Sequence, residues 1–352
     1  MNNSAINFTY LSQDDLINAG CFNMKLAIDA AEKGLLAFHN NEVLFPEKIV
    51  QIFNEETQER INCLPASFLP EKICGVKWVS VFPPNPVKYG AQNLSALIVL
   101  SEIEKGFPIA VMEGTLCSNL RVAVMGALAA KYLARKDSKS IGFIGAGEQA
   151  KMHLLSMKAV LPELEECRVS SKLESEEQVF IEEMKKILPD MKFIAAKTDS
   201  RVAMEGADVL VTATSAQAPL LKAKWMKPGA FYSHIGGWED EYAVAINCDK
   251  IVCDDWETVK HRTQTLSRMY KDGVLNDTGI YANLIDLITG EKKGRENDTE
   301  KTYFNAVGLS YVDIAIAMAL YEKAKSQSAG QKMSLQSQMI FQNENLSKVI
   351  VI

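Results

Sequence analysis

The stretch IGFIGAGEQAKMHL, residues 141–154, runs from an apolar segment through a tight glycine turn into a segment of helical spacing. Gly145, Gly147 and Ala150 fit G-x-G-x-x-A. A turn of this kind lets a backbone approach a pyrophosphate and aims the N–H groups of a helix start at it. The motif carries weight only when a strand precedes it and a helix follows, as the pattern here predicts.

Outward from that turn the pattern alternates. CRVSS, KFIAA, DVLVTATS, GAFYSHIG and KIVCD read as strands, and EQAKMHLLSMKAV, ESEEQVFIEEMKKIL and DSRVAMEG as helices. Short apolar strands alternating with helices predict a doubly wound parallel sheet, a Rossmann domain. Upstream, EKIVQIF, INCLPASF, ICGVKWVSV, SALIVLSE and FPIAVMEG are β-rich runs broken by Pro, Asn and Gly, which predicts an antiparallel or mixed sheet. The helix SNLRVAVMGALAAKYLA links the two regions. Further on, DDWETVKHRTQTLSRMYKDG reads as helical, and TYFNAVGLSYVDIAIAMALYEKAKSQ as strand, glycine turn and helix. The last stretch, from Ser328, is polar and weakly patterned until its apolar end. The expected fold is α/β: a Rossmann doubly wound parallel sheet at 126–309, inserted in a β-rich α+β domain formed by 1–125 and the returning segment 310–352.

With 352 residues, 47% hydrophobic and 23% charged, the chain has ample material for two cores. A net charge of −6 argues against nucleic acid as a partner. The polar start does not read as a signal peptide, and no apolar run reaches membrane-spanning length. The expectation is a cytoplasmic protein with no membrane partner. Seven scattered cysteines without C-x-x-C suggest reduced thiols, and four histidines at no ligand spacing argue against a metal site.

The end of the second Rossmann strand should meet the adenosine ribose. Dinucleotide sites for NAD place an acid there to accept from the 2′-OH. Here Ser170, Ser171 and Lys172 precede any acid, a set that suits a 2′-phosphate. The expected cofactor is therefore NADP(H), with NAD(H) the alternative.

Several segments together resemble the ornithine cyclodeaminase/mu-crystallin family: GVKWVS, VMEGTLCSNLRVAVMGALAAKYLA, IGFIGAGEQA, ADVLVTATSAQAPLL, KPGAFYSHIGG and FNAVGLSYVDIAIA. The resemblance runs from about residue 8 to 325. VKWVSVFPPN, DDWETVKHR and LITGEKKGREND look most like the branch that makes 2,3-diaminopropionate by oxidising N-(2-amino-2-carboxyethyl)-L-glutamate. That branch pulls toward NAD. The resemblance implies that 1–125 and 310–352 form the substrate-binding and dimerisation domain of a homodimer, with the active site in the cleft between the domains and a small amino-acid-derived substrate.

The candidate cofactor-binding set is Gly145, Ala146, Gly147, Glu148, Gln149, Ser171, Lys172, Thr212, Ala213, Thr214, Ser215 and Gly236. Lys77 interrupts an otherwise apolar strand; its family counterpart meets the substrate carboxylate and takes part in proton or polarising chemistry, which a desolvated lysine suits. Lys77→Met is expected to spare folding. The resemblance gives Arg121 the substrate α-carboxylate, a bidentate task, with Lys48 as second cation. Asn93 stands where the diaminopropionate branch tends to carry Arg, which puts a glutamate-like arm in doubt. Ornithine cyclodeaminases carry an Asp directly after the Gly-Gly seen here as Gly236 and Gly237; this chain has Trp238, then Glu239 and Asp240, either of which could stand in after a loop shift, with Asp240 the candidate catalytic acid. The first expectation is a dehydrogenase or reductase acting on a C–N bond. The alternatives are a cyclodeaminase, a ketimine reductase and a non-catalytic nucleotide-binding protein.

Overall fold

The structure is a computed structural model and describes residues 5–351. Backbone contacts divide it into two compact units: Met1–Leu26, Ala37–Ser118 and Ser310–Ile352 form the first, and Ala27–Leu36 and Asn119–Leu309 the second. The bound expected at 125 lies inside the long helix Thr115–Leu133, which the contacts split at Ser118.

The first unit is built on a mixed sheet. From one edge to the other its strands are Gln331–Gln336, Ile6–Leu11, Pro108–Glu113, Leu94–Glu102, Ile73–Val81, Glu59–Phe68 and Val43–Leu44, with Ile49–Asn54 also pairing on Glu59–Phe68. Ile6–Leu11 runs parallel to Pro108–Glu113; the other pairs are antiparallel. Alternation along Ile73–Val81 buries Gly75, Lys77 and Val79 on one face and exposes Trp78 on the other. The helix Ser310–Ser326, buried along most of its length, packs on this sheet.

The second unit is a parallel sheet in the order Lys192–Ala195, Glu166–Ser170, Ser140–Ile144, Val209–Thr212, Phe231–His234, Thr302–Asn305, Lys250–Cys253 and Ala282–Asn283. Ser140–Ile144, Val209–Thr212 and Phe231–His234 are buried at every position, which is why they read as continuous apolar runs. Strand order reverses between Ser140–Ile144 and Val209–Thr212, the place where open α/β sheets bind ligands.

Three local features depart from expectation. DDWETVKHRTQTLSRMYKDG forms two helices, Trp256–Val259 and Thr265–Lys271. The break sits at Gln264, whose backbone is extended and whose amide donates to the carbonyls of Gly236 at 2.9 Å and Ala306 at 3.0 Å. The polar stretch after Ser328 contains the edge strand Gln331–Gln336. Gln217–Leu221 and Trp238–Asp240 form a small parallel pair. No helix among the described residues is long and apolar enough to cross a membrane.

Candidate functional site

Ser140–Ile144 delivers the chain into the glycine turn. Gly145 has φ +107°, and a Cβ there would lie 2.5 Å from the Ala213 carbonyl oxygen, so no other residue fits without moving backbone. Gly147 is the N-cap of the helix Glu148–Val160, and the space where its Cβ would stand is open. The first N–H groups of that helix lack intrahelical acceptors and carry the positive end of its dipole. The turn opens on a cavity of about 540 Å³. Gly145, Ala146, Gly147, Ser171, Lys172, Ala213, Thr214 and Ser215 of the candidate set all line it. A close-approach glycine, an open second glycine and a helix start on one cavity fit a dinucleotide.

Thr212 and Gly236 belong to the same construction through Glu239. This fully buried carboxylate accepts from Thr214 N and Thr214 Oγ1 at 2.6 Å each, from Gly236 N at 2.7 Å and from Thr212 Oγ1 at 2.9 Å. It ties the loop after Val209–Thr212 to the turn after Phe231–His234. Gln149 donates to Asn119 Oδ1 at 2.9 Å, and Glu148 meets Lys151 at 2.7 Å with its side chain 71% exposed. Neither of these two lines the cavity.

The candidate acid Asp240 is fully buried. It accepts from Thr265 Oγ1 at 2.5 Å and Tyr303 Oη at 3.1 Å and lies 3.6 Å from His234 Nε2. Burial pushes its carboxyl up to about 6 against the pull of those partners. The candidate acid is thus an interior group engaged by Thr265 and Tyr303. Glu239, with its four donors, is committed as well. His153 is also interior: burial, with Arg121 nearby, lowers it to about 4, so it is neutral.

Arg121 lies on the helix Thr115–Leu133. Its guanidinium packs against the backbone at Gly308, where an added Cβ would fall 2.4 Å from Nη1. Gly308 has φ +87°, and its N–H and that of Val307 each donate to Asp254 at 2.9 Å. Burial raises Asp254 to about 6, with these backbone donors opposing the rise.

In the first unit, Lys77 is 2% exposed, and its ammonium donates to Asp313 Oδ1 at 2.6 Å. Asp313 is fully buried on the helix Ser310–Ser326. An ionised lysine on a core face is expensive unless paired. Lys77→Met would leave Asp313 without that cation, so the expectation that it spares folding is corrected. Lys48 is half-buried just ahead of Ile49–Asn54. Asn93 is exposed just ahead of Leu94–Glu102, at the far end of the strand pairing that carries Lys77.

Two groups escaped the sequence reading. Asp313 was visible as the lone charge in the apolar run SYVDIAIAMAL. Glu176 lines the dinucleotide cavity and accepts from Ser171 Oγ. It comes from the first turn of Glu174–Ile187, beyond the strand end where an acid is normally sought.

Fold and cradle define a dinucleotide-binding protein, and its relatives set the class, NAD(P)-dependent oxidoreductases. The chain belongs to the ornithine cyclodeaminase/mu-crystallin family, whose model matches residues 17–328. It is 30% identical over 330 residues to N-((2S)-2-amino-2-carboxyethyl)-L-glutamate dehydrogenase of Staphylococcus aureus, spanning 93% of this chain and 98% of that one. Among solved structures, Delta(1)-pyrroline-2-carboxylate reductase of Thermococcus litoralis, in complex with NADH and L-proline, matches with TM-score 0.86 at 32% identity, over 92% of this chain and 99% of that one. An archaeal alanine dehydrogenase dimer with bound NAD matches with TM-score 0.84 at 30% identity, over 94% of this chain and all (100%) of that one.

Proposed function

We propose that this protein is a dehydrogenase or reductase acting on the C–N bond of an amino acid, imino acid or opine-like secondary amine. N-(2-amino-2-carboxyethyl)-L-glutamate and its relatives are the first substrates to try. The observation that carries the proposal is Lys77, a charged amine held on a core face by Asp313 in a chain that also builds a dinucleotide cradle. The nicotinamide, when bound, supplies or accepts the hydride. Lys77 moves the proton at the reacting nitrogen or polarises the imine, with Asp313 fixing its ammonium. Arg121, backed by Gly308, binds the substrate carboxylate bidentately, and Lys48 adds a second cation. Asn93, exposed at a strand end, contacts the distal arm of the substrate.

The dinucleotide is NAD(H) or NADP(H). Lys172 supports the phosphorylated form, and the carboxylate on Ser171 supports the other. A homodimer is supported by the exposed apolar strand Ile49–Asn54, with Ile49 61% and Phe53 60% exposed, and by the dimeric alanine dehydrogenase relative.

The test is cofactor turnover against amino acids, 2-oxo acids with amines, cyclic imines and opines. Net consumption of one dinucleotide with a C–N substrate is expected. With L-ornithine and oxidised cofactor no proline should form, because Trp238 cannot accept a proton and Glu239 and Asp240 are buried and engaged. Proline formation above roughly 1 per second without net redox would overturn the proposal in favour of a cyclodeaminase.

A further inference from the structure

The strand end at Ser171 holds more than the cation and hydroxyl that sequence order suggests. Glu177, buried in the next helix, accepts from the N–H of Ser171 at 3.0 Å and from those of Lys197 and Thr198 at 2.8 Å each. Lys197 and Thr198 have φ of +52° and +64°. One carboxylate thus fixes both rims of this end of the cavity. The neighbouring Glu176 is left on the cavity side, where it lines the same space as Gly147, Ser171 and Lys172 and accepts the Ser171 hydroxyl proton. A carboxylate has about four lone-pair sites, and Ser171 takes one.

We propose that Glu176 is the specificity-determining residue for the dinucleotide and selects NAD(H) over NADP(H). This rests on the cradle's being a dinucleotide site. The ribose 2′-OH of NAD(H) donates to Glu176. A 2′-phosphate, with a charge of about −1.5 to −2 at pH 7, meets a carboxylate of like sign and a serine whose donor is already used. Lys172 and Glu176 are both exposed, so charge alone counts for little at either, and the preference rests chiefly on the hydrogen bond that the 2′-OH donates to Glu176.

The experiment is fluorescence titration of the whole protein with NADH and with NADPH, for wild type, Glu176→Gln and Ser171→Ala. Wild type should bind NADH at least about tenfold more tightly than NADPH, a difference of about 1.4 kcal/mol. Glu176→Gln should shrink that ratio at least about fivefold, mainly by weaker NADH binding, a neutral acceptor replacing the charged one. Ser171→Ala, which keeps the carboxylate, should retain the preference. The wild-type ratio should change little with added salt, since only a like-charge penalty is screened. Equal binding of both nucleotides by wild type, or an unchanged ratio in Glu176→Gln, overturns the proposal and leaves the dinucleotide site standing. Binding of neither nucleotide overturns both.

Discussion

Removing Lys77 tests whether its pairing with Asp313 is a structural coupling as well as a chemical one. The two groups meet at 2.6 Å with 2% and 0% side-chain exposure. Deleting one partner of such a buried pair costs about 3–5 kcal/mol, because the other charge stays in the interior. With a urea slope of about 2 kcal/mol per molar, Lys77→Met should lower the unfolding midpoint by about 1.5–2.5 M. Asp313→Leu should cost a similar amount. The double variant Lys77→Met with Asp313→Leu removes both charges, and hydrophobic replacement of a buried pair is often neutral. Its midpoint should return most of the way to wild type, a coupling of about 3 kcal/mol or more. The assay is urea denaturation followed by the fluorescence of the four tryptophans. Turnover should be lost in both single variants and in the double, so stability returns where activity does not. Penalties that add within about 0.5 kcal/mol would refute the coupling, and substantial turnover by Lys77→Met would refute the chemical role.

Gly308→Ala places a methyl 2.4 Å from Arg121 Nη1 at φ +87°. It should raise KM for a carboxylate substrate toward that of Arg121→Ala, whose lost charge-assisted contact is worth about 1.5–3 kcal/mol; an unchanged KM would show that Arg121 does not hold the carboxylate. Asp240 sets a pH dependence of stability. Its carboxyl is raised from 3.8 to about 6 in the folded state, chiefly by burial, so the native protein binds the proton more tightly than the unfolded chain. That contribution is fully present below about pH 4, is lost as pH rises through about 6, and amounts to roughly 3 kcal/mol. Denaturation midpoints of Asp240→Asn and wild type should therefore shift in the variant's favour between pH 4 and pH 7, and parallel profiles would refute the assignment.

The Rossmann unit was legible because its strands are buried on both faces and its glycine turn follows the first of them. The strands Ile6–Leu11 and Gln331–Gln336 were not: their apolar alternation (Ile6, Phe8, Tyr10; Met333, Leu335) is short and set in polar flanks, and their pairing joins opposite ends of the chain. Lys77 stood out as a charge in an apolar strand, and the family resemblance gave it a role. Its partner, 236 positions away, is a matter of tertiary contact. Glu239 and Asp240 are adjacent in sequence and looked interchangeable. Alternation along a strand sends one to the cofactor loops and the other to Thr265 and Tyr303. Glu176 was passed over because an acid was sought at the strand end, whereas a helix turn brings it back to Ser171.

The separation between Lys77 and Asp313 also sets an order of events at the ribosome. Translation at roughly 5–20 residues per second puts roughly 10–50 s between the emergence of the lysine and that of the aspartate 236 residues later. Within that interval the whole of Asn119–Leu309 is made, and its parallel sheet has its strands available for assembly. The nascent strand Ile73–Val81 meanwhile has neither the helix Ser310–Ser326 nor the carboxylate that lets its lysine turn inward. The unit begun first is thus finished last, and a ribosome that stops short of Ser310 releases a chain in which Lys77 has no interior to enter.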